Sequence, residues 1–234
     1  MQIGAVVVGL VVAASALLTA CEPANSPSAG VHQTASPSKS PRAVSTPAPP
    51  APPALAVEKV GAVATPSGFT AFAVINNPSG QTAMDVKIQM SAVGPGGQVL
   101  TRRSGGIRRI GAGQRDAVAV SFPVGRTLPI QFVASIPDVR WSADDTPTDV
   151  AQVAAADFLQ DARMPGVRVH LVSHAQRAIP VSVTAVCWDS AGNIRGGGTR
   201  TVMVGPEAQG HDSVIAVAVS AVPTRCDAYA VTTS

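Results

Sequence analysis

From residue 69 onward the apolar residues of this chain recur at every second position, and that period of two constrains the fold more than any other feature. Successive side chains of a strand point to opposite sides of a sheet, so alternation marks a strand with one buried face. The pattern is clean in Asp85-Val86-Lys87-Ile88-Gln89-Met90, where Val86, Ile88 and Met90 share the inward side. It blurs in Phe69-Thr70-Ala71-Phe72-Ala73-Val74-Ile75, where both faces carry apolar residues. Further strands are expected at 116–122, 130–136, 167–173, 180–188, 199–204, 213–220 and 226–232. Turn chemistry separates them: Asn77-Pro78-Ser79-Gly80, Gly94-Pro95-Gly96-Gly97 and Ser190-Ala191-Gly192-Asn193. Helical periodicity is confined to the stretch from Val150 to Leu159, which equally opens a strand. These spacings predict an all-β protein.

The alternation also repeats. Ala83-Met84-Asp85-Val86-Lys87-Ile88 lies over Ala178-Ile179-Pro180-Val181-Ser182-Val183 at an offset of 95, as does Gly97-Gln98-Val99 over Gly192-Asn193-Ile194. Ile110-Gly111-Ala112-Gly113 matches Val204-Gly205-Pro206-Glu207 at 94, and Asp116-Ala117-Val118 matches Asp212-Ser213-Val214 at 96. A unit of about 95 residues, with a strand roughly every 8–12 residues, is the size of one β-sandwich. The pattern resembles the FxLYD-type and related immunoglobulin-like domains of bacterial envelope lipoproteins, in which a strand enters an Asn-rich turn and a later hairpin carries Asp/Gly-x-Gly-x. Asn76-Asn77 and Gly96-Gly97-Gln98 carry the resemblance in the first unit, while Ser173-His174 replaces the asparagines in the second. The expectation is two tandem immunoglobulin-like β-sandwiches, residues 55–141 and 142–234, joined through Ser142 to Asp149.

A second resemblance lies at the N-terminus. An uncharged apolar run beginning at Ile3 ends in Leu18-Thr19-Ala20-Cys21, which resembles the lipobox of bacterial lipoproteins. It departs from that pattern in Met1-Gln2-Ile3-Gly4, which lacks the Lys or Arg of an ordinary signal peptide. The resemblance implies a signal peptide over residues 1–20, acylation (palmitate among the chains) at Cys21, and anchorage at the extracytoplasmic face of the cell membrane. Each buried methylene contributes about 0.8 kcal/mol, so two or three acyl chains anchor stably where one does not. The run is too short and wrongly flanked for a membrane span. A plainly secreted protein and an uncleaved N-terminal anchor are the alternatives. Residues 21–54 read as a Pro/Ser/Ala tether, closing in Pro47-Ala48-Pro49-Pro50-Ala51-Pro52-Pro53. With almost no large apolar residues to offset ordering entropy, it is expected to be disordered. Arginine far outnumbers lysine, present only as Lys39, Lys59 and Lys87, a bias that resembles actinobacterial proteins.

With Cys21 assigned to the lipid, Cys187 and Cys226 remain as one pair. Export would place them where disulfides persist. Bridging them closes a loop of 39 residues, worth about 4 kcal/mol on the chain-entropy model. Two buried free thiols are the alternative. Cys187 shares parity with Val181, Val183 and Ala185, and Cys226 with Ala228 and Ala230, so both are expected to point into a core.

Charge divides unevenly. Residues 55–141 hold nine Lys/Arg against four Asp/Glu, and residues 142–234 hold six against nine. The densest positive cluster is Thr101-Arg102-Arg103-Ser104-Gly105-Gly106-Ile107-Arg108-Arg109. Two arginine pairs around a glycine turn are expected to bring Arg102, Arg103, Arg108 and Arg109 to one hairpin end. Guanidinium binds carboxylate and phosphate bidentately, which points to anionic lipid headgroups or wall polymers. The alternative is a solvated hairpin whose charges protect a sheet edge. No aromatic residue interleaves the arginines, which argues against nucleic acid.

Other constellations carry less. His170, His174 and His211, the last beside Asp212, gather in the second unit. Residues four apart on a strand are roughly 13 Å apart, too far to share an ion, so neither metal nor cofactor is expected. There is no Gly-x-Ser-x-Gly elbow, and Gly196-Gly197-Gly198 lacks the lysine and helix of a phosphate loop, so the chain is not expected to be an enzyme. Trp188 is expected to cover a sheet face and Trp141 to pack at the domain junction. The reading is an envelope lipoprotein acting as a non-catalytic binding or assembly module. Its partner would be an envelope protein, or an anionic lipid or wall polymer, met through the arginines or through strand edges. The alternative is an extracytoplasmic carrier or sensor of a small anionic or lipidic ligand.

Overall fold

The computed structural model describes residues 54–143, 151–160, 164–205 and 210–232. The segment read as a signal peptide, Cys21, the tether to residue 53 and the connection over 144–150 lie outside the described residues. Among the described residues there are strands and no helix. The first half supplies β1 (Ala56–Thr65), β2 (Gly68–Asn76), β3 (Thr82–Val93), β4 (Val99–Ile110), β5 (Arg115–Pro123) and β6 (Gln131–Ser142). The second supplies β7 (Ala151–Leu159), β8 (Gly166–Ser173), β9 (Ile179–Trp188), β10 (Ile194–Val204), β11 (His211–Ala216), β12 (Ala218–Val219) and β13 (Arg225–Thr232). The stretch with helical periodicity is therefore strand β7.

Every pairing is antiparallel. Sheets β1-β2-β5 and β4-β3-β6 enclose one apolar core, and sheets β11-β8-β7 and β12-β10-β9-β13 enclose another. Each pair of sheets is a β-sandwich. The sandwiches repeat strand for strand apart from β12, which the second adds beside β10. The partners Met84 and Arg109 recur as Ile179 and Val204, and Ala92 and Phe132 recur as Cys187 and Cys226. Even the β-bulge recurs: the register shift between Val57 and Lys59 in β1 returns between Val153 and Ala155 in β7. A bulge bends a strand and raises its twist, so both first strands bend at one equivalent point.

A third apolar cluster joins the repeats. Val63, Phe72, Val74 and Ala117 of sheet β1-β2-β5 pack against Val186, Trp188 and Ile194 of sheet β12-β10-β9-β13. The described residues thus stack as four layers of sheet with apolar side chains between each pair. Strand β2 is covered on both sides. Ala71, Ala73 and Ile75 enter the first core, while Phe72 and Val74 enter the junction. That double burial is why its alternation is blurred. Burying a ring such as Phe72, fully covered here, contributes about 1.5–3 kcal/mol.

Glycines set the approach of the two middle sheets. A Cβ on Gly61 would lie 2.5 Å from Ile194 Cβ, and one on Gly197 would lie 2.8 Å from Phe72 Cε1 and 2.3 Å from the Ala185 carbonyl oxygen. On the opposite face, Cβ atoms on Gly196 and Gly198 would sit 2.1 Å from the carbonyl oxygens of Ala218 and Ala216. The glycine triplet is therefore a packing device that admits Phe72 on one side and the β11–β12 backbone on the other.

Trp188 covers a sheet face as expected and does so at the junction, where Arg225 stands over its ring with Cζ 5.4 Å from the centroid. Trp141 does not pack at the junction. It pairs with Ala83 in the outermost sheet and packs against the first core.

Candidate binding grooves at the junction

The expected arginine hairpin does not form, because β4 runs unbroken through Gly105 and Gly106. The reason is packing. A Cβ on Gly105 would come within 2.6 Å of Val118 Cγ2 and 3.0 Å of Val120 Cγ2, so the glycine gives β5 room to approach and makes no turn. Five to seven residues of extended strand place Arg102 and Arg103 roughly 17–24 Å from Arg108 and Arg109. The four guanidiniums therefore divide into two sites. Arg102 and Arg103 lie toward the β3–β4 turn, where they pair in register with Ser91 and Met90. Arg108 and Arg109 line two clefts beside the junction between the sandwiches.

The larger cleft has a volume of 470 Å³. Its walls are Gly105, Gly106 and Arg108 of β4 with Ala117–Ala119 of β5, and its floor carries the hydroxyls of Ser182, Thr184, Thr199 and Thr232. Ser182 and Thr184 share a face with Val186 and Trp188, but the first sandwich covers only the Val186–Trp188 end. Ser182 is half-buried at that end, while Thr184 is 8% exposed and its hydroxyl lies 3.5 Å from that of Thr199. Both β4 and β5 are edge strands, each paired on one side only.

The neighbouring cleft, of 340 Å³, also reaches Val231 and is lined by Arg109, Gln114, Arg115, Asp116, Gln152 and Tyr229. Asp116 is 6% exposed and its Oδ1 accepts the Ala117 N–H at 2.6 Å. Arg115 Nε is 2.9 Å from Glu58 Oε2. Burial, and then the charges of Asp227 and Glu58, push the Tyr229 hydroxyl up to about 12. Tyr229 is therefore a neutral hydrogen-bonding group at any physiological pH. The groups that sequence reasoning missed here are Asp116, Tyr229 and the hydroxyl floor. Their signal was present in β9, where one face changes from Ser182 and Thr184 to Val186 and Trp188.

The cysteines meet the expectation. Cys187 and Cys226 are direct partners across β9 and β13, bridged with Cα atoms 4.0 Å apart, and both belong to the second core. The histidines scatter. His170 Nδ1 lies 2.8 Å from Asp212 Oδ1 across β8 and β11, and His174 is exposed. Among the described residues no three His, Cys, Asp or Glu side chains are placed to share a metal ion. No family model matches the chain, and no curated protein matches it significantly.

Proposed function

We propose that this chain is an exported, lipid-anchored, non-catalytic binding or assembly module whose recognition surface is the paired groove beside the sandwich junction. The observation that carries this reading is that both sandwiches build the groove: β4 and β5 supply its wall, β9, β10 and β13 its floor. A rigid groove flanked by strand edges and lined by hydroxyls and arginines suits an extended partner chain, which gains backbone hydrogen bonds along an edge. The anchor is Cys21, and the partner is a protein of the same envelope.

Crosslinking on intact cells followed by capture of the chain tests the module. An envelope protein retained by the native chain and lost with both Arg108→Glu and Thr199→Arg supports the reading; retention by both variants contradicts it. The cleft of 470 Å³ also favours a second reading, a carrier of a small anionic or lipidic ligand. Co-purifying lipid or glycan with no protein partner would establish that instead. For the anchor, Cys21→Ala moves the chain into the medium after a high-salt wash, and continued salt-resistant membrane association contradicts lipidation.

A further inference from the structure

The exposed apolar side chains of the first sandwich gather at one end. Val124, Leu128 and Ile130, on the loop between β5 and β6, are 62%, 62% and 70% exposed, and Val99 and Val133, at the same end of β4 and β6, are 44% and 39% exposed. The loop is pinned to the body at both ends: Val124 N–H donates to the Ser67 carbonyl at 3.3 Å and Ile130 N–H to the Val93 carbonyl at 2.8 Å. Under it lies a cavity of 270 Å³ lined by Phe69, Leu100, Phe122, Pro129 and Arg126. The segments that form this end, 65–70, 93–103 and 122–133, contain Arg102, Arg103 and Arg126 and no Asp or Glu.

We propose that this end of the sandwich contacts an anionic lipid bilayer. A contiguous exposed apolar patch marks an interaction surface. Here its tips are aliphatic throughout, the aromatic rings beneath are turned inward, and the surrounding charge is of one sign. Aliphatic tips seated in the acyl boundary, with arginines at the level of anionic headgroups, combine the two attractions of an interfacial contact. A protein partner would instead be met through exposed aromatic anchors, which the loop does not present. The proposal rests on the envelope reading above, since only there does the chain meet a bilayer. Geometry permits it even though the chain enters β1 at the opposite end. Segment 22–54 has a contour on the order of 100 Å, enough for the loop to face the bilayer that would hold Cys21.

The test is co-sedimentation of residues 21–234 carrying Cys21→Ser, which has neither the apolar N-terminal run nor a site for acylation, with vesicles of phosphatidylcholine and phosphatidylglycerol and with vesicles of phosphatidylcholine alone. Binding is expected to the anionic vesicles, to weaken as salt shortens the screening length, and to fall about 10-fold or more in Leu128→Asp/Ile130→Asp. Arg126→Glu should lower binding to anionic vesicles and leave the neutral ones unchanged. These side chains are exposed, so near-ultraviolet circular dichroism should match the parent. No binding to anionic vesicles, or binding that Leu128→Asp/Ile130→Asp leaves unchanged, overturns the proposal. Because the tested chain lacks the acylation site, a failure of the anchor assignment would be read separately, in cells.

Discussion

The two sandwiches answer one structural question in different ways. At equivalent cross-strand positions the first places Ala92 opposite Phe132, and the second places Cys187 opposite Cys226. In the first, the Phe132 ring packs on Phe122 at 5.2 Å, edge to face, and on Phe69 at 5.8 Å. In the second, no aromatic cluster fills that place among the described residues, and a covalent bond ties the same two strands together. One repeat closes the end of its core by apolar packing and the other by restricting its unfolded chain. The same β-framework therefore tolerates either device, provided the two strands stay in register.

Breaking each device measures the difference. Cys187→Ala/Cys226→Ala should destabilise by about 4 kcal/mol, read by thermal unfolding, and dithiothreitol on the native chain should act in the same direction. An unchanged midpoint would remove the disulfide from the account. Phe132→Ala should cost about 2–3 kcal/mol, less than a fully buried ring because Phe132 is only partly covered. Transplanting one device into the other sandwich sharpens the comparison. Ala92→Cys/Phe132→Cys should oxidise spontaneously, since the two positions face each other as the native pair does. Free alkylated thiols on mass mapping would show that the repeats are not equivalent there.

A second equivalent pair is polar. Asn77, directly after β2, is fully buried; its Nδ2 donates to the carbonyls of Gln81, Ile110 and Gly111 at 2.8, 3.0 and 2.9 Å, and its Oδ1 accepts from Ser79. It pins the turn after β2 to the corner between β4 and β5. Ser173 ends β8 in the same place, and the contact its hydroxyl makes is with the Ala175 N–H at 3.1 Å. Asn77→Ala should therefore cost about 2–3 kcal/mol and Ser173→Ala about 1 kcal/mol in denaturant unfolding.

The smallest effect expected is at Asp189 in the β9–β10 turn. The backbone N–H of Asn193, with its side chain and Arg195 adding, holds this carboxyl at about 2. Its folded value lies below the ordinary carboxylate value of about 3.9, so its stabilisation is complete above that value and is lost as pH falls toward 2. Asp189→Asn should lower stability slightly at neutral pH, where the carboxylate's contribution is complete, and leave it unchanged near pH 2, so that the pH dependence across that window flattens.

Much of this was legible in the residues. Alternation and turn chemistry located most strands, the offset near 95 marked the repeat, and parity put both cysteines in one core. What escaped has a common cause, which is that a strand pattern records burial on a face without naming what covers it. Two-sided apolar character in β2 was visible, yet nothing in sequence said that a second sandwich lay across it. The glycines of β4 read as a turn because close approach by another sheet looks, in one dimension, like chain reversal. The arginine site divided for the same reason.

The central claim is that the third apolar cluster makes the two repeats one cooperative body. Differential scanning calorimetry of the native chain beside Gly197→Val tests it most directly, because any Cβ there would collide with Phe72 and the Ala185 carbonyl. The account predicts one transition for the native chain, and for Gly197→Val a lower midpoint with the transition splitting in two. Two independent transitions in the native chain, with only one moved by Gly197→Val, would contradict it.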